Sequence, residues 1–415
     1  MEDALEIFTT NICSFLSVKK QVTGLLVKKH SNNLHVLGDY SFPNTVKSWS
    51  EFLDSEVLQK EKDNLLQCIE KDTESLLLTS KSWNIPIQHA SEVKDRVHLY
   101  MERSFAIRKG LSQSFTNNKH IIDSITAESF CNVKLDTNDE TCLTSLRLNY
   151  TAHVIKNLYV IDTKCSKSKP RLFISTRSSS QCDDHKLILC GAVLNIKTGV
   201  KETEIKTTDF IRIRQEELTL IAQHKYGVRV SSDTKWKEFI AYLGQSAVAF
   251  ELLQIRPSSC VKVQFDASSG SSKGAAFILY NCARLETIIK TFNDKVNEGI
   301  YPHLPKFEDI DLTLLTHEDE WSLVFNYILG LPTLLKNCVE ITEEKCEFRP
   351  HLICSFLSSM VRIVSQYYRK VRILIEPRKH LLPVIFARIY LLTCLNDTLK
   401  TCLRILNIKS VSQMY

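Results

Sequence analysis

Residues 348–415 read FRPHLICSFLSSMVRIVSQYYRKVRILIEPRKHLLPVIFARIYLLTCLNDTLKTCLRILNIKSVSQMY. Apolar side chains at Ile353, Phe356, Leu357, Met360, Val361, Ile363, Val364 and Tyr367 recur every three to four positions, the spacing of an amphipathic helix. A second run of the same kind covers Leu381 to Ile408. Pro377 and the basic step Arg378-Lys379-His380 separate the two, and Pro383 suits the first turn of the second helix, where a missing N–H costs little. The segment carries eleven Lys or Arg against Glu376 and Asp397, whereas the whole chain nets only +6. A pair of basic helices on a near-neutral body predicts capture of a polyanion, because cations that displace phosphate counterions bind strongly and salt-dependently. Tyr367, Tyr368, Arg369, Lys370 and Arg372 set rings beside cations, the combination that unpaired RNA bases and their phosphates require. A solvated basic face without a ligand is the alternative reading of the same charges.

Working outward, the 415 residues suffice for two or three domains, with 44% hydrophobic and 24% charged residues as in ordinary globular proteins. Only 11 glycines are present, which disfavours glycine-rich nucleotide loops. The opening MEDALEIFTT lacks the basic-then-apolar order of a signal peptide, and the most apolar run, Leu381 to Leu395, is short for a membrane span and contains Arg388. A cytoplasmic location with no membrane partner is therefore expected. The fourteen cysteines then read as reduced core thiols. Cys338, Cys346 and Cys354 fall eight apart, matching no zinc spacing, and the sequons at Asn149 and Asn396 read as chance matches.

Residues 1 to about 115 mix a helical stretch, Glu51 to Leu78, with alternating runs at Leu34 to Leu37 and Val97 to Met101, which predicts a small α/β domain. Lys19, Lys20, Lys28, Lys29 and His30 form a second basic cluster, either a wet surface or an RNA contact. Asn117 to Glu140 reads as a linker. Strand-like runs follow at Leu158 to Ile161, Leu172 to Ser175 and Leu187 to Leu194, divided by polar clusters such as Ser178 to Gln181. Residues 236 to 254 read as helix and 258 to 274 as a Ser-rich connection. Helices are expected at 275 to 293, 318 to 345, 349 to 370 and 381 to 407. Asp294 to Glu347 holds twelve acidic against four basic residues, an acidic arm that could bind protein or keep RNA off one side.

Three blocks in order resemble the anticodon-binding domain of arginyl-tRNA synthetases, the DALR-type bundle. Phe277 to Lys290, with Tyr280, Ala283 and Arg284, is similar to the helix that opens it. Pro350 to Leu374 is similar to its central helix, and Arg388 to Ile408 followed by Met414 to its final helix and terminal loop. The tetrad that names the domain reads Thr393-Cys394-Leu395-Asn396, without its Asp and Arg. Upstream, Leu243 to Phe250 with Phe265-Asp266 resembles the stretch leading into the bundle, and Val97 to Leu111 the N-terminal additional domain. The implied fold class is α+β. It comprises a small α/β domain at 1–115, a reduced synthetase-like α/β middle at 116–265, and an all-α bundle at 266–415.

The catalytic signatures do not follow. Where a HIGH-type motif would hold ATP phosphates the chain reads Thr141-Cys142-Leu143-Thr144-Ser145-Leu146-Arg147, with neither histidine. The stretch Lys197 to Glu204, beyond Gly191-Ala192-Val193, lacks a KMSKS-type loop. Amino-acid activation is not expected, since the groups that bind and polarise ATP are missing. No Gly-x-Gly turn for S-adenosylmethionine is present, and Ser268 to Gly274 lacks the order of a phosphate loop. The combination resembles the DALR anticodon-binding domain-containing proteins of animals. That resemblance implies a non-catalytic, cofactor-free tRNA-binding subunit. Such a subunit recognises arginine tRNAs, not DNA, and presents them to a tRNA 3-methylcytidine methyltransferase. It further implies that Tyr280 and Arg284, with Tyr368, Arg369, Lys370 and Arg372, cradle the anticodon loop. Lys400, Arg404 and Lys409 would hold phosphates and Met414 would lie against a base. Core packing of the tyrosines and an internal pair for Arg284 are the competing readings, and a protein-only scaffold is the competing function.

Overall fold

The computed structural model describes residues 1–16, 26–53, 63–127, 133–136, 142–161, 171–177, 185–226, 234–266, 270–342 and 345–411. The chain divides into two units assembled from interleaved stretches. The first takes Met1–Asn117, Gly299–Thr333 and Gln366–Leu395, and the second takes Asn118–Glu298, Leu334–Ser365 and Asn396–Tyr415.

In the first unit helix α1 (Ala4–Phe15) starts where the Asp3 side chain accepts the Glu6 N–H, and it buries Leu5, Phe8 and Ile12. Four antiparallel strands follow, β1 (Lys28–Lys29), β2 (Tyr40–Pro43), β3 (Ile87–Val93) and β4 (Arg96–Met101), in the order β1-β2-β4-β3. Alternation assigns the faces: Val97, Leu99 and Met101 are buried, and Tyr40 and Phe42 lie opposite Leu99 and Val97. Leu34 to Leu37, read as an alternating run, is instead a single helical turn, α2 (Leu34–Leu37), closed by Gly38. Gly38 sits at φ 69°, and a Cβ there would stand 2.6 Å from the Leu99 carbonyl oxygen, so only glycine fits. The stretch read as one helix from Glu51 to Leu78 also differs. Its described residues form the short helices α4 (Leu65–Cys68) and α5 (Thr73–Ser80) after α3 (Val46–Trp49). Asn64 and Asp72 restart the chain as side-chain caps.

Helix α6 (Arg103–Thr126) runs through the start of the expected linker, so residues 117–126 are helical. Within the first unit Gly110 of this helix lets the Leu329 side chain close in on its backbone. Leu329 follows a π turn, Val324–Ile328, that extends α11 (Glu318–Leu323). Trp321 and Phe325 stack there at 5.2 Å, and Tyr40 meets Phe325 edge-on at 5.9 Å. The buried Asp39 carboxylate joins the sheet to this segment, accepting the Trp321 indole N–H at 2.8 Å and the Met101 N–H at 2.7 Å. Burial pushes its carboxyl up to about 6.

The second unit contains α7 (Leu143–Ile161) and a parallel sheet of β5 (Val133–Leu135), β6 (Arg171–Ser175) and β7 (His185–Leu189). It also holds a parallel pair, β8 (Val193–Asn195) with β9 (Val261–Val263). Leu158 to Ile161, read as a strand, is the last turn of α7. Buried Leu148, Ala152, Ile155, Leu158 and Tyr159 continue one helical face that the short window hid. The Ser-rich connection contains β9, and Ser178 to Gln181 lies outside the described residues. Helices α8 (Thr207–Tyr226) and α9 (Thr234–Leu253) pack with α7 and the β8–β9 pair around Leu143, Val193, Phe210, Val248, Leu252, Val261 and Val263. Then comes α10 (Lys273–Asn297), whereas α12 (Leu331–Cys338), α13 (Pro350–Lys370) and α14 (Leu382–Ile405) each contribute residues to both units.

The α+β reading holds, with one departure in the C-terminal third. The helix expected over 318 to 345 ends at Cys338 and gives way to an antiparallel ribbon of β10 (Val339–Ile341) and β11 (Cys346–Phe348). The ribbon is tied by charge: Glu347 pairs with Arg349 at 2.8 Å and Lys345 at 3.0 Å, and also with Arg256. Helix α14 is longer than the apolar run that marks it, and by length and composition it could span a bilayer. Its apolar window is 61% buried in protein, with Asn396, Thr398 and Thr401 among the buried residues, as in a core helix. Among the described residues no group of three or more His, Cys, Asp or Glu side chains could hold a metal.

Asp39→Asn keeps one acceptor and replaces the other with a donor, so one buried N–H loses its partner; urea unfolding should show a loss of about 1–3 kcal/mol. Hydrogen bonding from Arg349 holds the Glu347 carboxyl down at about 2 against an ordinary 4.5, with Lys345 and Arg256 assisting. A depressed carboxyl contributes stability in full above its unfolded value and loses it as pH falls through the folded one. Wild-type thermal melts should therefore lose stability between about pH 4.5 and 2, and Glu347→Gln should remove part of that loss.

Candidate nucleic-acid interface

In the first unit the site begins with an inward turn. Glu320 is fully buried, and its Oε1 accepts the Tyr367 hydroxyl at 2.6 Å and the Arg388 Nε–H at 3.0 Å. Its Oε2 accepts the His317 backbone N–H at 3.0 Å in a capping box. Burial and then the Glu320 charge push the Tyr367 phenol far up. Tyr367 is thus sealed in the core and is no stacking ring, contrary to the sequence reading. A helix turns about 100° per residue, so burying Tyr367 swings Tyr368 outward. Tyr368 is 44% exposed.

Arg369 and Lys370 complete the last turn of α13, where the carbonyl end of the helix favours cations. Both are exposed, and Lys370 reaches Asp319 at 2.9 Å while staying half open to solvent. Val371 and Ile373 are buried, which turns Arg372 outward between them. The Tyr301 hydroxyl donates to the Ile375 carbonyl and holds this non-helical segment. Arg378, Lys379 and His380 are exposed beyond it, Arg378 paired with Glu376 at 2.8 Å.

In the second unit α10 carries Tyr280 and Arg284, both half-buried. The Arg284 guanidinium lies 4.5 Å over the Tyr280 ring and its Nη2 donates to the Tyr280 hydroxyl at 2.6 Å, an i,i+4 platform of ring and cation. On α14, Lys400 is paired with Glu286, which also accepts from Asn396 Nδ2. Arg404 is exposed, and Asn157 Nδ2 donates to the Ile405 carbonyl at 3.0 Å, closing the helix end. Lys409 is exposed, and Met414 lies outside the described residues. The named residues therefore divide: Tyr368, Arg369, Lys370 and Arg372 belong to the first unit, and Tyr280, Arg284, Lys400, Arg404 and Lys409 to the second.

The N-terminal basic cluster fares differently. Lys29 Nζ donates to the Phe325 carbonyl at 3.2 Å and lies 4.5 Å over that ring, and burial pushes its ammonium down to about 8. His30 is buried, hydrogen-bonded to Ser41 Oγ at 2.8 Å. Lys28 alone among the described members is exposed, and Lys19 and Lys20 lie outside the described residues.

The middle of the chain holds residues that sequence reasoning passed over. Arg147, in the segment compared with a HIGH-type motif, is fully buried. It donates to the carbonyls of Gly191 and Ser259 at 2.6 Å, Leu252 and Arg256 at 3.2 Å, and Ile255 at 3.4 Å. Leu143 belongs to the core, and Thr144 Oγ1 accepts the Val193 N–H at 3.2 Å. The stretch compared with a KMSKS-type loop makes a tight turn at Gly199, φ 71°, beside Glu202, which accepts the backbone N–H groups of Glu204 and Ile205. A second buried cation, Arg214, is bidentate to Glu251 at 2.8 and 3.0 Å. Glu217, its neighbour, accepts the Ser272 hydroxyl at 2.8 Å. An arginine inside the apolar run Leu143 to Ile161 was the available signal for Arg147.

Residues 278–414 match the sequence profile of the DALR anticodon binding domain. That match covers the C-terminal third of the chain. The domain's name-giving tetrad, here Thr393 to Asn396, lies on α14 with Cys394, Leu395 and Asn396 buried. Curated relatives include the DALR anticodon-binding domain-containing protein 3 of Danio rerio, 28% identical over 282 residues, covering 66% of this chain and 49% of that protein. The Rattus norvegicus protein of the same name is 30% identical over 233 residues, covering 55% and 43%. The chain thus spans about half the length of the curated relatives it matches. Arginyl-tRNA synthetase structures share the fold. The Thermus thermophilus enzyme superposes with a TM-score of 0.57 at 10% identity over 100% of each chain, and the Plasmodium falciparum enzyme with 0.58 at 11% over 98% of each.

Arg147→Met would leave five carbonyls without their shared donor. The expected loss is about 3–5 kcal/mol in denaturant unfolding, and Arg147→Lys, which cannot fork between them, should recover only part.

Proposed function

We propose that the chain is a non-catalytic tRNA-binding adaptor that recognises arginine tRNAs and presents them to a tRNA 3-methylcytidine methyltransferase in the cytoplasm. The observation that carries this reading is the exposed turn Tyr368, Arg369, Lys370 and Arg372 inside a DALR anticodon binding domain. A ring beside three cations suits an unpaired loop, in which bases stack and phosphates are neutralised. On the second unit Tyr280 with Arg284 offers a ring beside a cation, and exposed Arg404 and Lys409 add cations. The relatives named for an anticodon-binding domain support the tRNA side of the reading, and the methyltransferase rests on the resemblance alone. The absent adenylate-binding signatures, together with Arg147 and Leu143 committed to the core, favour binding without aminoacylation.

The test is filter binding of purified arginine tRNA across a salt series. Each single-strand phosphate contact contributes about 0.7 to the slope of log affinity against log salt. Arg369→Ala with Arg372→Ala should flatten that slope by about 1.4, and Arg404→Ala with Lys409→Ala by a similar amount. Wild-type affinity at every salt concentration for both double variants would refute the assigned surfaces. A wild-type chain that holds protein partners but no arginine tRNA would replace the adaptor with a protein scaffold.

A further inference from the structure

Two features remain outside the RNA reading, an exposed aromatic helix face and the acidic arm, and the first unit brings them together. Along α6, Phe105, Arg108, Ser112 and Phe115 fall at i, i+3, i+7 and i+10, one side of a helix, and all four are exposed. Phe105 is 56% and Phe115 38% open to solvent. The Phe307 ring meets Phe115 edge-on at 6.1 Å and Tyr390 at 5.4 Å, extending the aromatic surface. Arg108 lies 5.8 Å from the Phe307 ring and donates to the Ile310 carbonyl at 2.9 Å, fastening residues 306–313 beside the helix. That loop exposes Glu308, Asp309 and Asp311, none of which forms an ion pair among the described residues. Burial raises the Tyr390 phenol, and the charges of Glu308 and Asp309 raise it further, as expected of carboxylates at the edge of this surface.

Carboxylates repel phosphate, so this face does not suit RNA. Open phenylalanines with three exposed carboxylates, Glu308, Asp309 and Asp311, along one side fit a protein segment that alternates apolar residues with Lys or Arg, in which rings anchor and rim charges set orientation. An enzyme that acts on tRNA carries cations of its own, which supplies the complementary sign. We infer that the Phe105–Phe115 face and the Glu308–Asp311 loop dock a basic, apolar segment of the protein that receives the tRNA. The identity of that protein as the methyltransferase rests on the proposed function.

The experiment measures two affinities of the full chain, for purified tRNA 3-methylcytidine methyltransferase and for arginine tRNA. The variants are Phe105→Ser with Phe115→Ser, and Glu308→Lys with Asp309→Lys; all four side chains are exposed, so the fold is kept. Each pair should weaken methyltransferase binding at least tenfold at low salt. The serine pair should leave tRNA binding unchanged, and the lysine pair should leave it unchanged or tighten it. Wild-type methyltransferase affinity in both variants overturns the docking face. A wild-type chain that binds tRNA but no methyltransferase also overturns it, while the tRNA reading stands. A chain that binds methyltransferase through this face but no tRNA sinks the tRNA reading instead.

Discussion

The outward face of the first unit depends on one buried carboxylate. Glu320 has no exposure to solvent, and it accepts hydrogen bonds from a guanidinium, a phenol and a backbone N–H. A buried carboxylate left without such partners would be strongly destabilising, so Arg388, Tyr367 and the start of α11 are bound to one another through it. Fixing Tyr367 inward fixes the phase of the last turn of α13, and that phase is what sends Tyr368, Arg369 and Lys370 to solvent. The binding chemistry proposed for those residues is thus inherited from a contact none of them makes.

Several long elements were legible because their period repeats, whereas α7 and α8, nearly as long, and the second half of α6 were not, their apolar faces being interrupted by polar residues. Helices α9, α10, α13 and α14 each show enough turns for apolar spacing to be unambiguous, and β4 and β6 alternate over five or six residues. Short ones were not. Leu34 to Leu37 alternates by accident over four residues, and nothing local distinguishes that from a strand. Residues 158–161, taken alone, look like a β run, although they close a helix that begins at Leu143. Among the described residues of Glu51 to Leu78 the helices restart at Asn64 and Asp72, whose capping role shows only once the chain turns there.

Charge in the candidate site was legible in amount and less so in direction. Exposed Arg369, Arg372, Arg404 and Lys409 follow from helical phase and position. Lys29 is drawn inside by the Phe325 carbonyl and ring, which lie nearly three hundred residues away. Lys400 and Lys370 meet acids from other helices, Glu286 and Asp319. Such partners come from tertiary packing and leave no mark on neighbouring sequence. They also moderate the surface: a lysine held by a half-buried acid must give up that pair before meeting a phosphate, so unpaired arginines carry more of any salt dependence.

Arg147 shows how a frame shared with arginyl-tRNA synthetases can be stable without their signatures. A guanidinium has five N–H donors in one plane and can satisfy several carbonyls at once. Here it gathers the end of α9, the turn before β8 and the approach to β9, and a Cβ at Gly191 would collide with the Ser259 backbone at 2.5 Å, so the chains meet with no side chain between them. Thr144 ties the same helix start to β8. Where an adenylate site would need an open cleft lined by groups free to meet phosphate, these groups spend their hydrogen bonds on the backbone. Cys142 Sγ and Ser145 Oγ meet at 3.2 Å at the same helix start, beside the core around Leu143 and Val193, so this segment too spends its polar groups within the fold.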